Sequence, residues 1–142
     1  MQLNRRVEYA LMALKFMDDQ KKSSENSTTA PGLISAKKIA DTLKTPYELT
    51  ARIMQTLSQK DFIDSIQGQQ GGYRIQKDLS KISVFDLIEA LEGPMALVKC
   101  QDKEHQCSIS STCNILHPLE KLNQRVQKLY QNTSLLEVIR DI

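Results

Sequence analysis

Three cysteines and two histidines lie close together in CQDKEHQCSISSTCNILH, the cysteine segment, which runs from Cys100 to His117. Six and then five residues separate the thiols, and the rest of the sequence contains no cysteine. Thiolates and imidazoles bind soft metal ions, and thiols also form reversible disulfides. Structural zinc sites typically pair cysteines about two to four residues apart, and this segment does not. The segment therefore indicates a metal site, redox-active thiols or thiols that only pack, and zinc is the metal that the spacing fits poorly.

The composition is that of one ordinary globular domain. The chain has 142 residues, of which 40% are hydrophobic and 25% are charged, with a formal net charge of +2. A charge this small permits nucleic-acid binding without implying it, because the distribution of the basic side chains matters more. The sequence has no evident nucleophile–base pair or phosphate-binding loop, and both histidines, His105 and His117, lie in the cysteine segment. These features argue against an enzyme with a small-molecule substrate.

The hydropathy pattern predicts a cytoplasmic protein that does not contact a membrane. No apolar run approaches the length of a membrane span, and Glu8 and Lys15 interrupt the apolar positions of MQLNRRVEYALMALKF, unlike a signal peptide. Thiols are kept reduced in the cytoplasm. An odd number of cysteines also argues against a disulfide framework.

Hydrophobic spacing predicts helices in the first part of the chain. Val7, Leu11 and Leu14 form the apolar stripe of a first helix, which ends in the polar loop DDQKKSSENSTTAPG. Ser35 is placed to cap a short second helix. These two helices lead directly into a third one with clearer start signals.

The third predicted helix lies in TPYELTARIMQTLSQKDF. Thr45 and Glu48 fit a capping box, and Pro46 fits the first helical position, where its missing N–H costs nothing. The buried stripe is predicted to contain Leu49, Ile53 and Leu57. The residues left to face outward are Tyr47, Thr50, Ala51, Arg52 and Gln55.

The hydrophobic period then changes, and FIDSIQGQQGGYRIQKD is typical of a β-hairpin. Its tip contains Gly68, Gly71 and Gly72, which permit positive φ and a close approach of the backbone to another surface. Ser83 is placed to cap a further helix, SVFDLIEALEG, which ends at Gly93.

The last part of the chain, HPLEKLNQRVQKLYQNTSLLEVI, predicts a long amphipathic helix that begins just after Pro118. Its stripe consists of Leu119, Leu122, Val126 and Leu129. A terminal helix must cover such a stripe, and a second copy of the chain is a natural partner. We therefore expect a homodimer.

The predicted order of helix, helix, capped helix and glycine-tipped hairpin is that of a winged helix-turn-helix, whose recognition helix enters the major groove of DNA. The predicted fold class is mainly α (α+β). We expect a winged helix-turn-helix DNA-binding domain over residues 1–93, a cysteine-containing loop over 94–117, and a dimerisation helix with the C-terminal segment over 118–142.

Five stretches of the chain together resemble the Rrf2 family of transcriptional regulators. They are MQLNRRVEYALMAL, GQQGGYRIQKD, SVFDLIEALEG, the cysteine segment and NTSLLEVI. The resemblance covers nearly the whole chain, in the right order. It implies a bacterial homodimeric winged-helix protein that binds promoter DNA, usually as a repressor. It also implies an iron–sulfur cluster, because many members hold one in the loop before the dimerisation helix.

The resemblance also implies positions for DNA contacts. Many relatives have an arginine where this chain has Gln67, so the attraction of arginine for a narrow minor groove is missing here. The candidate phosphate contacts are Arg5, Arg6, Lys37, Lys38 and Lys44. The DNA-binding residues that the resemblance implies are Tyr47, Thr50 and Arg52 on the recognition helix and Gly71, Gly72 and Tyr73 in the wing.

The implied cluster would be held by Cys100, Cys107 and Cys113, and three cysteines leave one iron position without a thiolate. The resemblance offers Glu8 of the opposite subunit as the fourth ligand, because certain relatives supply a carboxylate from this position. His117 is the alternative, although its register is imperfect. We favour Glu8, which would link the cluster to the geometry of the dimer. We favour a 2Fe-2S over a 4Fe-4S cluster.

The sequence thus predicts a repressor that senses redox state, nitric oxide or cluster supply. Two alternatives stay open at this point. One is a cluster-free regulator controlled by thiols or by a protein partner. The other is a small iron–sulfur protein for electron transfer or cluster delivery, in which the helix-turn-helix only packs.

Overall fold

The computed structural model describes residues 3–24, 32–69, 71–97 and 107–141. Cys100, His105 and residues 25–31 of the predicted polar loop lie outside these ranges. The first seven residues of that loop, 18–24, are helical, so the prediction that the first helix ends before them is wrong. The elements in chain order are α1 (Arg5–Ser24), α2 (Ala36–Leu43), α3 (Tyr47–Gln59), β1 (Asp64–Ile66), β2 (Gly72–Arg74), a short 3-10 helix (Leu79–Lys81), α4 (Val84–Glu92), α5 (Leu116–Gln131) and α6 (Leu135–Arg140). This order confirms the predicted, mainly helical architecture with a small antiparallel hairpin.

Helix α1 forms one wall of the hydrophobic core. Its buried face, spaced at three and four residues, includes Val7, Ala10, Leu14 and Met17. This face packs against α2, α3, α4 and α6. Residues Ile53, Leu57 and Leu87 fill the space opposite and are almost completely buried. The helix that carries Glu8 is therefore packed against both α2 and α3.

Helices α2 and α3 form the helix-turn-helix. Ser35 Oγ accepts a hydrogen bond from Lys38 N at 3.1 Å, which confirms the predicted cap of α2. Lys44 ends α2 in the left-handed conformation, with φ of 57°. Helix α3 begins at Tyr47 with Pro46 as its N-cap, and no side chain caps it. The predicted capping box of Thr45 and Glu48 is therefore wrong.

The hairpin pairs Asp64 with Arg74, Ser65 with Tyr73 and Ile66 with Gly72. Tyr73 also exchanges two backbone hydrogen bonds with Ile34, of 2.8 and 2.9 Å, so the wing is joined to the chain just before α2. Gly72 makes this junction possible. A Cβ on Gly72 would lie 2.8 Å from the carbonyl oxygen of Ile34, and its φ of +156° is rare for other residues.

Two capped helices meet at the other end of the molecule. Ser83 caps α4 and Ser134 caps α6, each in a complete capping box with the acidic residue three positions later. The chain segments before these helices pair, because Val84 N donates to Thr133 O and Leu135 N donates to Ile82 O. This pairing fixes the start of α6 beside the start of α4, although 42 residues lie between the two helices along the chain.

Helix α6 is also fastened to α1 by charge. Arg140 donates two hydrogen bonds, of 3.0 and 3.1 Å, to the two carboxylate oxygens of the buried Asp18. These hydrogen bonds hold the pKa of Asp18 below its usual value, although burial acts in the opposite direction. Lys15 Nζ adds a hydrogen bond of 2.9 Å to Ile139 O.

Replacing Asp18 with asparagine should lower Tm at pH 7 by roughly 3–8 °C, because the neutral amide loses the charge and one of the two oxygens that accept from Arg140. The folded-state pKa of Asp18 is lowered, so its contribution is present above the ordinary value of 3.8 and is lost as pH falls through the folded value. The Tm difference measured by calorimetry should therefore shrink below pH 3.8. Asp19→Asn, on an exposed neighbour, is the control, and equal Tm values for the two variants would contradict the prediction.

No helix in the described ranges is long and apolar enough to cross a membrane.

Candidate nucleic-acid interface and cysteine segment

The outer face of α3 is exposed while its inner face is anchored in the core. Ile53, Met54 and Leu57 are buried, so the helix cannot rotate without breaking the core. Tyr47 is 56% exposed, and Arg52 is also exposed. A helix held in this way presents its first two turns outward, as a recognition helix must. The predicted outward positions of Tyr47 and Arg52 agree with the structure.

Thr50 does not share this outward face. It is only 3% exposed, and its hydroxyl donates to Pro46 O at 2.8 Å and lies 2.7 Å from Thr45 Oγ1. The prediction that Thr50 faces outward is therefore wrong. The physical reason is that the turn before α3 supplies two oxygens which satisfy the threonine hydroxyl locally, so its side chain stabilises the turn.

A groove lies between the first turn of α3 and the wing. Its lining includes Ser35, Tyr47, Gln67, Gly71 and Tyr73. Partial burial raises the pKa of Tyr73, and the nearby Tyr47 raises it further. The structure thus brings the implied recognition-helix and wing residues together, and Gly71 allows the tight turn because a Cβ there would meet Ile66 O.

The basic residues fall into two groups. Lys37, Lys38 and Lys44 are exposed around α2, where phosphate contacts are expected. Arg6 instead donates from Nη1 to Leu91 O at 2.8 Å, so its side chain fastens α1 to α4, and the phosphate contact expected from Arg6 stays a prediction. Arg74, directly after Tyr73 in β2, adds a half-buried cation to the wing.

The described part of the cysteine segment contains Cys107 and Cys113, both half-buried and both free thiols. Successive turns separate them, closed by hydrogen bonds from Ser110 N to Cys107 O at 3.3 Å and from Thr112 N to Ile109 O at 3.1 Å. Cys100 lies outside the described residues. Within the described ranges, no three histidine, cysteine, aspartate or glutamate side chains converge as a metal site.

The two candidate fourth ligands stand apart on different helices. Glu8 is exposed on α1, and its carboxylate lies 3.5 Å from Arg5 Nη1. His117 is exposed in the first turn of α5, which begins at Leu116, so the prediction that this helix begins after Pro118 is wrong. Cys113 precedes the helix and is not one helical turn below His117.

A sequence comparison decides the family. The profile of the Rrf2 family, described as "Iron-dependent Transcriptional regulator", matches residues 3–141. This chain belongs to the Rrf2 family. It is therefore a transcriptional regulator and not an enzyme, and the family implies that it binds DNA. The choice between a regulator and an electron carrier is settled in favour of the regulator.

Relatives of this Rrf2 protein match along most of their length. The chain is 28% identical over 142 residues to the HTH-type transcriptional regulator NsrR of Oceanobacillus iheyensis, covering 99% of this chain and 91% of the relative. It is 27% identical over 135 residues to a putative HTH-type transcriptional regulator of Aquifex aeolicus, covering 94% and 88%.

Solved structures show the same fold. CymR of B. subtilis, titled the global cysteine regulator, superposes with a TM-score of 0.71 at 19% identity, covering 100% of this chain and 98% of that one. IscR of T. potens superposes with a TM-score of 0.67 at 18% identity, covering 99% and 88%. These likenesses confirm the winged-helix fold of the Rrf2 chain.

Helix α5 of this Rrf2 protein has an uncovered apolar flank. None of its described residues is buried. Leu122 and Leu129, seven residues apart and thus on nearly the same side of the helix, are 48% and 63% exposed. Ile115, seven residues before Leu122, is exposed as well. A helix of sixteen residues that buries none of them in its own chain offers this flank to another surface.

Proposed function

We propose that this Rrf2 protein is a homodimeric repressor of promoter DNA whose cysteine segment holds an iron–sulfur cluster. The observation that carries the proposal is the position of Cys113 and Cys107, two free and half-buried thiols, directly before a helix with an uncovered apolar flank. A ligand held by the thiols can then act on the helix that joins two subunits, and so on the spacing of two recognition helices.

The proposed dimer forms through α5. The exposed fractions of Leu122 and Leu129 are high for leucines that repeat at heptad spacing. A twofold interface buries both leucines in each of the two subunits. Each buried leucine stabilises the dimer by about 1.5–3 kcal/mol. The division into a DNA-binding domain over 1–93, a cysteine loop over 94–117 and a dimerisation part over 118–142 belongs to the same proposal.

The donor set suits an iron–sulfur cluster in its chemistry. Cys100, Cys107 and Cys113 would supply three thiolates, and Cys107 and Cys113 are neither paired nor fully buried. Glu8 would complete the set from a second copy of the chain, because its carboxylate is exposed and, among the described residues of its own chain, is engaged only by a surface ion pair with Arg5. His117 is the alternative fourth ligand. The family description as iron-dependent supports this reading.

A cluster with 2Fe-2S composition is favoured over 4Fe-4S, and it would supply one-electron redox chemistry and reactivity toward small oxidants or nitric oxide. The protein's own part is to hold the thiols at the base of α5 and to leave the last position to a weaker ligand. A carboxylate or imidazole is displaced from iron more easily than a thiolate, which gives a sensor its responsive point.

The proposed DNA contacts follow the groove and the exposed face of α3. Tyr47 and Arg52 would read bases in the major groove, and Gln67, Gly71 and Gly72 would bring the wing against the backbone or minor groove. Lys37 and Lys38 would contact phosphates beside the cap of α2. Thr50 supports the turn from inside.

A cluster-free regulator controlled by thiol oxidation is the second candidate. It is favoured by the two free thiols and by the lack of a converging metal-ligand trio in the described ranges. The fold is also shared with CymR, whose title names a cysteine regulator. A reversible disulfide within the cysteine segment would then act on α5 in place of a cluster.

Purification without oxygen separates the two candidates. We expect coloured protein that contains iron and acid-labile sulfide in equal amounts, and we expect Cys100→Ala, Cys107→Ala and Cys113→Ala each to lose the colour. Ser111→Ala, an exposed neighbour, should keep it. Visible absorbance with iron and sulfide assays measures this. Colour that survives all three cysteine changes would exclude the cluster, and colourless wild-type protein would favour the thiol mechanism.

A further inference from the structure

The side of α5 that faces the body of the chain contains two amides among its apolar residues. The half-buried positions of this helix recur at three and four residues, which defines one face. They are Leu116, Leu119, Asn123, Val126, Gln127 and Tyr130. A face of this kind is normally apolar throughout. Asn123 and Gln127, one helical turn apart at its centre, therefore need a specific polar partner.

That partner is a single backbone carbonyl. Asn123 Nδ2 and Gln127 Nε2 both donate to Met95 O, at 3.4 and 3.2 Å. A carbonyl oxygen has two lone pairs and can accept both hydrogen bonds. We call the two amides and the Met95 carbonyl the amide latch. It holds the chain just after α4, where Gly93 turns away from the helix with φ of +82°.

The amide latch is a costly way to pack a helix, which argues that its position matters. Asn123 Oδ1 is buried and has no hydrogen-bond partner in the described part of the chain. An amide oxygen left in this state destabilises the fold, and apolar side chains would fill the same face without that cost. A polar pair at the centre of an apolar face does, however, fix one register of the helix against its neighbour.

The three cysteines lie, along the chain, between the amide latch at Met95 and the start of α5. Met95 lies five residues before Cys100, and Cys113 lies three residues before the first residue of α5. Met95, which precedes the first cysteine, and Cys113, the last cysteine, are thus both attached to α5. Met95 is attached through the hydrogen bonds of Asn123 and Gln127, and Cys113 is covalently continuous with the first turn of the helix.

We propose that Asn123 and Gln127 are positioning residues that couple the thiols to α5: they fix the start of the thiol-bearing stretch on the helix, so that a metal held by the thiols restrains α5. The proposal deepens the proposed function, because it rests on the cysteine segment acting on α5. The coupling is reciprocal, since whatever displaces α5 must also change the affinity of the thiols for metal.

The test uses full-length protein freed of metal and titrated with Cd²⁺ alone, which gives a thiolate-to-metal absorbance in the ultraviolet. The double variant Asn123→Ala/Gln127→Ala should weaken Cd²⁺ binding by about three- to tenfold. The expected loss corresponds to a part of the free energy of two neutral hydrogen bonds, because the coupling transmits only a part of it to the metal site. Gln124→Ala, which removes an exposed amide of the same helix, should leave the affinity unchanged.

A second readout separates coupling from simple destabilisation. Cd²⁺ should slow hydrogen exchange of the α5 amides between residues 119 and 127 in the wild type and in Gln124→Ala, and should not do so in the double variant. If circular dichroism shows that the double variant is unfolded, Gln127→Met takes its place, because it keeps the side-chain length and removes the amide that donates to Met95 O.

Equal Cd²⁺ affinity and equal protection of α5 in the double variant and in Gln124→Ala would overturn the proposal, and so would wild-type protein that binds no Cd²⁺. Because the probe is Cd²⁺ on metal-free protein, the result does not depend on whether protein from cells contains iron and sulfide. A colourless wild-type protein would therefore contradict the iron–sulfur assignment and leave the amide latch to be judged by its own measurements.

Discussion

Replacing Leu129 with glutamate is expected to convert the protein from a dimer, with twice the chain mass of 16.1 kDa, into a monomer. Leu129 is 63% exposed on the uncovered flank of α5. In a twofold interface the change removes two buried leucines and brings two carboxylates into apolar surroundings, where each needs a partner that the flank does not offer. Light scattering coupled to size exclusion measures the mass.

The same change should weaken binding to a duplex with two half-sites by about a hundredfold or more. A monomer has one DNA-binding domain and therefore loses the high effective concentration that the second domain has in a dimer. Gln124→Glu adds the same negative charge at an exposed position of α5 and should remain dimeric with normal affinity. A Leu129→Glu protein that keeps the dimer mass and binds DNA as the wild type does would show that α5 is not the dimer interface.

Replacing Arg52 with alanine should cost about 1–3 kcal/mol at each half-site if its guanidinium reads a base. Arg52 is exposed on the second turn of α3, whose inner residues Ile53 and Met54 are buried and hold the helix in place. The measurement is a titration of a duplex that the wild-type protein has enriched from a random pool. The loss should be concentrated at one base-pair position of each half-site.

Lys128→Ala is the matched control, because it removes one positive charge from an exposed position of α5. It should leave affinity and base preference unchanged. A loss in Arg52→Ala that is the same on every sequence, with a shallower salt dependence, would assign Arg52 to a phosphate contact instead. An affinity equal to that of Lys128→Ala would remove Arg52 from the interface.

Together, the two changes test the two ends of one mechanism. In the proposed mechanism, Arg52 belongs to the part that reads DNA, and Leu129 belongs to the part that sets the distance between two such parts. The amide latch of Asn123, Gln127 and Met95 lies between the thiols and that second part. A sensor built in this way needs no contact between its metal and DNA, because a shift of α5 is sufficient to change the spacing of the recognition helices.

Much of the architecture was determined by the sequence itself, and the reason is that these features are local. A cap needs a side-chain oxygen within three residues of its backbone N–H, so Ser35 and Ser83 could be identified from neighbouring residues alone. The periodic apolar positions of α1 and α3 predicted their buried faces, because a helix repeats every 3.6 residues or so. The glycine-rich wing and the crowded cysteines were equally visible, and with the whole pattern they indicated the family.

The tertiary structure alone decided the contacts between residues that are distant along the chain or that compete for one partner. Thr50 turned inward because the oxygens of Thr45 and Pro46 satisfy its hydroxyl, and a pattern of outward positions could not include that choice. Arg6 became an anchor because folding places Leu91 O beside it, eighty-five residues away. The amides of Asn123 and Gln127 met Met95 O for the same reason. The spacing of residues along a helix determines which way a side chain can point, but only the folded chain determines which group it contacts.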